Sequence, residues 1–300
     1  MTIVITGGTG LIGRALSADL SSDQHDVIVL SRDPGSAPKM PPHVQLVEWD
    51  TRSAAGWAHL AEGADAIVNL AGASLNRRWT PRNKRIIRES RLNAGRAVVE
   101  AVEQAAQPPR VVIQASGTGG YGPRGDEVIT EQADLGDGFL GRTAAQWEAS
   151  TEPVEDHGVR RAVIRSSVVL SSEGGAFPLM ALPFRFFVGG PLGGGEQWFP
   201  WIHMEDEVRA IRFLIQNEAA SGPFNLTAPN PVTNTQFSRT LGEVMRRPSF
   251  FRVPAFAVRL VLGEMSTVVL TGQRAVPQRL IELGFEFHYL RLKPALRDLV

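Results

Sequence analysis

Short apolar runs alternate with longer amphipathic segments over the first 170 residues of the chain. The apolar runs are rich in β-branched residues and predict six strands, at residues 2–6, 27–30, 44–47, 66–70, 111–115 and 162–169. Helical spacing predicts helices after Gly13, over residues 81–106 and over residues 139–157. Short strands that alternate with helices are typical of right-handed βαβ crossovers. The pattern therefore predicts an α/β fold with a doubly wound parallel sheet.

Beyond Leu170 the pattern changes to a stretch rich in glycine and proline that continues to Pro200, and we interpret it as a substrate-side loop or lid. Helical patterns follow at residues 205–218 and 235–246, with a short strand at 224–226 between them. The last fifty residues predict mostly helix, with Pro277 at a helix start and Gly284 at a helix end. We therefore expect a smaller, mostly helical C-terminal part beside the sheet.

The bulk composition narrows the class of ligand. Lysine plus arginine number 31, as do aspartate plus glutamate, so no global positive field attracts nucleic acid or anionic lipid. The chain has no cysteine for disulfides or thiolate chemistry, and its apolar runs are too short to span a bilayer. The six histidines are scattered and match no metal-binding pattern. We expect a cytoplasmic protein that binds a small molecule, with no nucleic acid, membrane or metal partner and an undetermined oligomeric state.

The segment after the first strand has the pattern Gly-x-x-Gly-x-x-Gly. Glycine permits the tight turn and lets the backbone approach a pyrophosphate, and the N-terminus of the next helix offers free N–H groups. Because the motif lies between a strand and a helix in the first of several βα units, it predicts a Rossmann-like dinucleotide site. The expected contacts are Gly7, Thr9, Gly10, Leu11, Ile12 and Gly13.

The end of the second strand bears on the choice between NADP and NAD. An acidic residue there would bind the ribose 2′-hydroxyl, whereas an arginine would accommodate a 2′-phosphate. Ser31 and Arg32 supply a hydroxyl and a guanidinium suited to phosphate, which favours NADP. Asp33, one residue further on, leaves NAD as the alternative.

Other strand ends add expected cofactor contacts at the same edge of the sheet. Leu70, Ala71 and Gly72 follow the fourth strand, and Ser116 follows the fifth. Asp50, after the third strand, is expected to bind the adenine amino group, although an aspartate that closes a strand often only forms a turn.

These features divide the chain into two predicted parts. Residues 1–170 form an NADP-binding Rossmann-like domain, which segments from about residues 200–230 complete. Residues 171–300 form the substrate-side loop and the C-terminal helical domain.

Further motifs carry a resemblance to a known superfamily. They are Tyr121-Gly122, Trp201-Ile202-His203-Met204-Glu205-Asp206, Arg78-Trp79, Glu89-Ser90-Arg91, Gly190-Pro191-Leu192-Gly193 and Leu262-Gly263-Glu264-Met265. With the glycine turn, they resemble the extended short-chain dehydrogenase/reductase superfamily, which includes nucleotide-sugar epimerases. Within it the chain is similar to the atypical "epimerase family protein" subgroup, which has its own C-terminal helical domain and is sometimes labelled a cell-division-inhibitor homologue. The resemblance spans essentially the whole chain and implies the fold and an NADP site.

Enzymes of that superfamily ordinarily use a tyrosine, and a lysine four residues further on that lowers the pKa of the tyrosine. A serine or threonine holds the substrate oxygen. When the corresponding helix of this chain is aligned by Gly141 and Glu148, Leu140 stands at the tyrosine position and Ala144 at the lysine position. The resemblance therefore implies that the usual catalytic pair is missing.

Another residue would then have to move the proton. The chain has only two tyrosines, and Tyr121 follows the fifth strand at the catalytic edge, together with the hydroxyl groups of Ser116 and Thr118. These three are the catalytic candidates. Glu148, His203 and Arg142 are further candidates.

The substrate side is expected to be basic and aromatic. An arginine can bind a phosphate or carboxylate, and aromatic rings provide stacking area, so the pattern suits an anionic substrate such as a nucleotide sugar, but also a packed loop. The candidates are Arg78, Trp79, Arg142, Arg185, Trp198 and His203. Three functions stay open: an NADP-dependent oxidoreductase or epimerase-like enzyme, a catalytically silent NADP(H) sensor, and a regulatory interaction protein.

Overall fold

The computed structural model describes residues 1–300 and contains thirteen strands and ten α-helices. The strands are β1 (Thr2–Thr6), β2 (Asp26–Ser31), β3 (Val44–Glu48), β4 (Ala66–Asn69), β5 (Val111–Gly117), β6 (Val128–Ile129), β7 (Arg160–Ser166), β8 (Val168–Leu170), β9 (Trp198–Phe199), β10 (Trp201–His203), β11 (Gly222–Leu226), β12 (Val232–Thr233) and β13 (Arg274–Ala275). The α-helices are α1 (Leu11–Ser22), α2 (Pro81–Gln104), α3 (Phe139–Ala149), α4 (Phe177–Arg185), α5 (Met204–Gln216), α6 (Asn234–Met245), α7 (Ala255–Leu262), α8 (Thr267–Leu270), α9 (Gln278–Glu282) and α10 (Leu292–Leu299). Short 3-10 helices lie at Pro34–Ser36, Ala58–Ala61, Thr118–Tyr121, Glu152–His157 and Gly263–Ser266.

Seven strands form one parallel sheet in the order β11-β7-β5-β4-β1-β2-β3. The chain builds outward from β1 to β3, then crosses back to β4 on the other side of β1, so the strand order reverses between β1 and β4. In open parallel sheets, ligands bind outside the carboxyl ends of the strands at such a point. The predicted Rossmann-like α/β fold is confirmed.

The sheet is buried on both faces, as βαβ crossovers require. Alternate residues of β1 point to opposite faces: Ile3 and Ile5 pack in a core cluster with Leu16 of α1, whereas Val4 packs in a second cluster with Val98 of α2. Helix α5 packs beside α1 on the first face.

The structure corrects three predicted elements. The stretch from Leu170 to Pro200, interpreted as a loop or lid, contains helix α4 and strand β9. The strand predicted at residues 162–169 is two strands, because Ser167 leaves the main sheet and both its backbone N–H and its hydroxyl donate to the carbonyl of Leu226. Strand β8 then pairs with β10 in a separate two-stranded sheet. The helix predicted at residues 139–157 ends at Ala149, and Pro153, which lacks a backbone donor, lies at the start of the following 3-10 helix.

The C-terminal part is mostly helical, as predicted. Phe184 of α4, Leu241 of α6 and Leu296 of α10 share a core cluster with Trp201. The short strand β13 pairs with β6, which connects the C-terminal region to the segment after β5. None of the ten helices combines the length and the hydropathy needed to cross a membrane.

Candidate functional site

The glycine turn lies between β1 and α1 at the carboxyl edge of the sheet. Gly7 has a φ of +70°, and a Cβ atom there would come within 2.8 Å of the backbone of Leu70. A Cβ atom at Gly13 would lie 2.5 Å from the Cα of Gly8, so the helix can approach the turn this closely only without a side chain. No side chain caps α1 at Gly10. The first N–H groups of the helix therefore remain available to a phosphate.

Three buried polar side chains join the strand ends beneath this turn. The Thr6 hydroxyl donates to Asn69 Oδ1 (2.6 Å), and Asn69 Nδ2 donates to Gln114 Oε1 (2.8 Å). The three residues are register neighbours on β1, β4 and β5. The backbone N–H of Ala71 also donates to the Thr6 hydroxyl (3.3 Å). These bonds fix the sheet edge over which a dinucleotide would lie.

At the end of β2, the acidic and the basic candidate have different surroundings. Asp33 accepts hydrogen bonds from the backbone N–H groups of Gly35 (3.1 Å) and Ser36 (3.2 Å) and from the Ser36 hydroxyl (2.6 Å). The bonds to Ser36 are the main cause of its lowered pKa. Arg32 is exposed and forms no ion pair. The Asp33 carboxylate thus stabilises the turn in which it lies, and the Arg32 guanidinium remains available to bind an anion.

Asp50 also uses its carboxylate locally. It accepts hydrogen bonds from the backbone N–H groups of Arg52 (2.7 Å) and Ser53 (3.0 Å), and these bonds lower its pKa. The Ser53 hydroxyl donates to the second oxygen (3.0 Å). The structure thus shows Asp50 as a turn former, and the adenine contact stays a prediction.

The loop after β4 is attached to α2 by two consecutive residues. The backbone N–H of Ala73 donates to the Ser90 hydroxyl (2.9 Å), and Arg91 donates to the carbonyl of Ala73 (3.1 Å). The guanidinium of Arg91 lies against Gly72, where a Cβ atom would be 3.1 Å from its Cζ. Helix α2 therefore fixes the position of the loop that carries the predicted cofactor contacts Ala71 and Gly72.

Arg91 belongs to a motif that carries the family resemblance, but the sequence interpretation gave it no role in the site. Its side chain is buried (8% exposed), lies 4.7 Å from the ring centre of Trp147, and has no carboxylate within 4.0 Å. Burial lowers the pKa of Arg91 to about 10, which still leaves it protonated at neutral pH. A buried cation without a counter-ion is costly, and at this edge of the sheet it suits an anionic ligand group. Its sequence signals are its place in the Glu89-Ser90-Arg91 motif and its position on the apolar face of α2, and neither reveals that the side chain is buried.

The structure contradicts direct proton transfer by Tyr121. The 3-10 helix after β5 turns the ring into the interior, against Ile129 and Ala275. The phenol donates to Asn225 Oδ1 (2.7 Å) and accepts from Arg165 (2.9 Å), and burial raises its pKa. Both hydrogen-bonding positions of the hydroxyl are thus used inside the protein.

The same network continues into the C-terminal region. The buried carboxylate of Glu131 accepts from the backbone N–H groups of Asn225 (3.0 Å) and Arg279 (3.4 Å), and burial raises its pKa. Asn225 in turn donates to the carbonyl of Val276 (3.0 Å). The surroundings of Tyr121 are therefore complete only when residues after β13 are in place.

The two other catalytic candidates differ in the freedom of their hydroxyl groups. Ser116 donates to Glu148 Oε1 (2.6 Å), and the Glu148 carboxylate is paired with Arg165 at 2.9 Å and 2.8 Å. Thr118 is buried, but its side chain forms no hydrogen bond within the protein. Of the three candidate hydroxyls, that of Thr118 is the one left for a ligand.

Helix α3 contains neither tyrosine nor lysine and packs closely on the turn after β5. A Cβ atom at Gly120 would lie 2.8 Å from the Cβ of Ala144, and one at Gly119 would lie 3.2 Å from the Leu140 side chain. The contact is thus built around glycine on one side and short or apolar side chains on the other.

The structure also contradicts the placement of His203 in the substrate site. Its Nδ1 accepts from the backbone N–H of Glu205 (3.2 Å), which makes it the N-cap of α5. The buried ring stacks on Tyr289 at 3.9 Å, and its Nε2 lies 3.3 Å from a carboxylate oxygen of Asp298. Burial lowers its pKa. His203 therefore joins α5 to the C-terminal helix as a structural residue, which is the alternative that its position between Ile202 and Met204 favoured.

The remaining substrate-side candidates fall into separate groups. Trp79 is buried edge-to-face on Phe139 (5.1 Å), which brings the loop carrying Arg78 against the helix carrying Arg142. Both arginines are exposed. The indole N–H of Trp198 donates to Asp126 (2.8 Å), and Arg185 is exposed at the end of α4. The contact of Trp79 with Phe139 thus links the segments that carry Arg78 and Arg142, and the grouping of Trp198 and Arg185 with them stays a prediction.

A second buried acid lies beneath the end of β7. The Ser166 hydroxyl donates to Glu207 Oε1 (2.6 Å), while Glu207 Oε2 has no partner. Glu207 is fully buried on α5, and desolvation raises its pKa to about 8. No group of three or more histidine, aspartate or glutamate side chains is arranged to bind a metal ion.

Comparison with known proteins gives consistent matches. Residues 3–144 match the NAD dependent epimerase/dehydratase family, and residues 253–299 match a domain of unknown function, DUF1731. An epimerase family protein of Staphylococcus aureus (strain MRSA252) is 42% identical over 300 residues, which cover 99% of this chain and 98% of that protein. One from Staphylococcus haemolyticus is 42% identical over 298 residues, with the same two coverages.

Solved structures are also similar. The crystal structure of human epimerase family protein SDR39U1 (isoform 2) with NADPH matches with a TM-score of 0.88 and 33% identity, over 100% of this chain and 99% of that one. A nucleoside-diphosphate sugar epimerase from Corynebacterium glutamicum matches with a TM-score of 0.80 and 35% identity, over 100% of this chain but 58% of that one.

Proposed function

The chain belongs to the epimerase family proteins within the NAD-dependent epimerase/dehydratase family, and we propose that it is an NADP(H)-dependent oxidoreductase or nucleotide-sugar epimerase-like enzyme. The observation that carries the choice of NADP(H) is the contrast at the end of β2. The carboxylate of Asp33 accepts hydrogen bonds within its own turn, while the guanidinium of Arg32 is exposed and unpaired. The human relative that binds NADPH supports the same choice.

The residues of the sheet edge fit such a cofactor. The glycine turn and the uncapped α1 would hold the diphosphate, and Ser31 with Arg32 would hold the 2′-phosphate. The backbone of residues 70–72 and the guanidinium of Arg91 would complete the edge. When bound, the cofactor supplies or accepts a hydride.

The protein's own contribution to the reaction is proposed to be positioning. Thr118 has the uncommitted hydroxyl at the end of β5, so it would hold the substrate oxygen. A threonine hydroxyl is too weakly acidic to act as a base at neutral pH, and α3 offers no tyrosine–lysine pair. Water or the substrate itself would therefore exchange the proton. Arg78 and Arg142 would attract a small anionic substrate from solvent.

Calorimetric titration of the purified chain with NADPH and NADH tests the cofactor proposal. The Arg32→Ala variant should lose about tenfold or more in NADPH affinity and little in NADH affinity, because a charged hydrogen bond to the 2′-phosphate is removed. Arg110→Ala is the matched control, since this exposed arginine precedes β5 at the opposite edge of the sheet. Equal losses for both cofactors would mean that Arg32 does not read the 2′-phosphate. Failure to bind either cofactor would overturn the proposal.

A catalytically silent NADP(H) sensor is the second candidate, and the interior position of Tyr121 together with the composition of α3 favours it. Titration with nucleotide sugars and small carbonyl compounds in the presence of NADPH distinguishes the two. An enzyme should bind one compound in a cofactor-dependent way and oxidise NADPH or epimerise the compound. Tight NADPH binding that no compound changes would support the sensor.

A further inference from the structure

Two segments, residues 177–192 and 246–262, expose an unusual amount of apolar surface, and we call them together the arginine-rimmed apolar face. They hold eleven of the eighteen large hydrophobic side chains that the whole chain exposes. Phe256 is 72% exposed and Leu260 is 78% exposed, although both lie on α7. Contiguous exposed apolar surface in a folded protein marks an interaction site.

The two segments form one surface. The backbone N–H of Phe251 donates to the carbonyl of Gly189 (3.2 Å), and that of Val253 donates to the carbonyl of Pro191 (3.0 Å). The guanidinium of Arg247 lies 4.4 Å from the ring centre of Phe187. Backbone and side-chain contacts therefore hold exposed residues of both segments side by side.

The charge of this face has one sign. Its charged side chains are all cationic, and none of them forms an ion pair. The nearest acidic residues along the second segment, Glu243 and Glu264, lie outside it and are paired with lysines. The face contains the arginines 185, 246, 247, 252 and 259. Although the whole chain has no net charge, this face thus carries about five positive charges on an apolar surface.

The same features indicate the kind of partner. A second copy of the chain would bring the same arginines together, because a two-fold interface pairs a surface with itself. A specific protein interface also needs about one hydrogen bond per 100–200 Å². Apart from its arginines, the face offers one polar side chain, that of Ser249. Exposed Phe, Leu and Val among arginines match the boundary of an anionic bilayer, which takes up apolar groups and attracts cations.

We propose that the arginine-rimmed apolar face docks the protein reversibly on an anionic lipid bilayer. Phe250, Phe256 and Leu260 enter the headgroup–acyl boundary, and the surrounding arginines bind lipid phosphates. Docking places the C-terminal part of the protein against the membrane. The proposal is independent of whether the cofactor site turns over a substrate.

Vesicle sedimentation with the full-length chain tests the proposal. Vesicles of phosphatidylcholine alone are compared with vesicles that contain about one third phosphatidylglycerol, at low and at physiological salt. We expect binding to the anionic vesicles only, and weaker binding as salt rises. Arg252→Gln with Arg259→Gln should weaken it about 30-fold. Phe256→Ser with Leu260→Ser should weaken it by a similar factor of about 30.

Matched control variants make the same kinds of substitution outside the arginine-rimmed apolar face. Arg82→Gln with Arg88→Gln removes two exposed arginines of α2, and Ile281→Ser with Leu290→Ser removes two half-exposed apolar side chains. Both controls should bind like the natural chain. Absence of binding, equal binding to neutral vesicles, or equal losses in the controls would overturn the proposal. A dimer in light scattering that Phe256→Ser with Leu260→Ser dissociates would assign the face to a second copy instead.

Discussion

The Glu148 carboxylate accepts two hydrogen bonds from one guanidinium, that of Arg165, at 2.9 Å from Nε and 2.8 Å from Nη2. Both side chains are largely buried, and the pair joins α3 to β7 directly beneath the Ser116 hydroxyl. The same guanidinium also donates to Tyr121. The pair thus sets the position of helix and strand at the end of β5.

Arg165→Met should lower the free energy of unfolding by about 3 kcal/mol, because it leaves the Glu148 carboxylate buried without its partner. Urea titration measures the change. The matched control is Arg85→Met, which removes the exposed pair with Glu89 on α2 and should change stability by about 0.5 kcal/mol or less. A loss as small as that of the control would show that water reaches the Glu148 carboxylate freely.

Glu207 should make stability depend on pH. Its folded-state pKa of about 8 lies above the ordinary glutamate value of 4.5, so the folded chain retains a proton that the unfolded chain releases. Its contribution to stability is therefore complete below about pH 4.5 and declines up to about pH 8, by up to about 1.4 kcal/mol per pH unit.

The Glu207→Gln variant should remove most of this decline, as measured by chemical unfolding at a series of pH values. Glu89→Gln, at an exposed position, should leave the slope unchanged. If Glu207→Gln unfolds with the same pH dependence as the natural chain, Glu207 is ionised in the folded protein.

Gly141→Ala should destabilise the chain by about 2–3 kcal/mol, because the added Cβ would overlap the carbonyl oxygen of Gly136. Gly138→Ala is the matched control, since a Cβ atom there meets nothing within 4 Å and its φ is −70°. Thermal unfolding measures both. Equal melting temperatures for the two variants would mean that the backbone at Gly136 can move away from α3 at little cost in free energy.

Arg91→Met should leave the unliganded chain about as stable as before, because removal of an unpaired buried charge compensates for its lost bonds to the loop after β4. The rise in melting temperature that NADPH causes should become smaller, since an anion-binding cation is gone. Arg96→Met on the same helix is the control. An unchanged NADPH effect together with a large loss of stability would make Arg91 a structural residue only.

Features that depend on local sequence were predictable, and features that depend on distant partners were not. The glycine turn follows from residues 7–13 alone, and the short run of β-branched residues in β1 identified a strand. The break after Ser166 depends on Leu226, and the position of Tyr121 depends on Asn225, so neither could be seen locally.

The burial and clustering of charged residues were also not predictable from the sequence. In the sequence, Arg91 and Glu207 look like ordinary charged residues of helices. Only the packed fold shows that both are buried. The expectation that no lipid is bound rested on a net charge of zero and on short apolar runs, and it is untested; our proposal of a lipid-binding face departs from it. A sum over the chain cannot show that the two segments of the arginine-rimmed apolar face lie side by side.

The pairing of β13 with β6, and the contacts of Glu131 and Asn225 with residues 276–279, bear on how the chain acquires its structure. Strand β6 lies far before β13 along the chain, so the interior around Tyr121 is closed by a long-range pairing. A chain shortened before β13 would expose that interior to solvent. Long-range pairings form only after the ends of a long loop are brought together, so we expect the surroundings of Tyr121 to be among the last parts of the protein to fold.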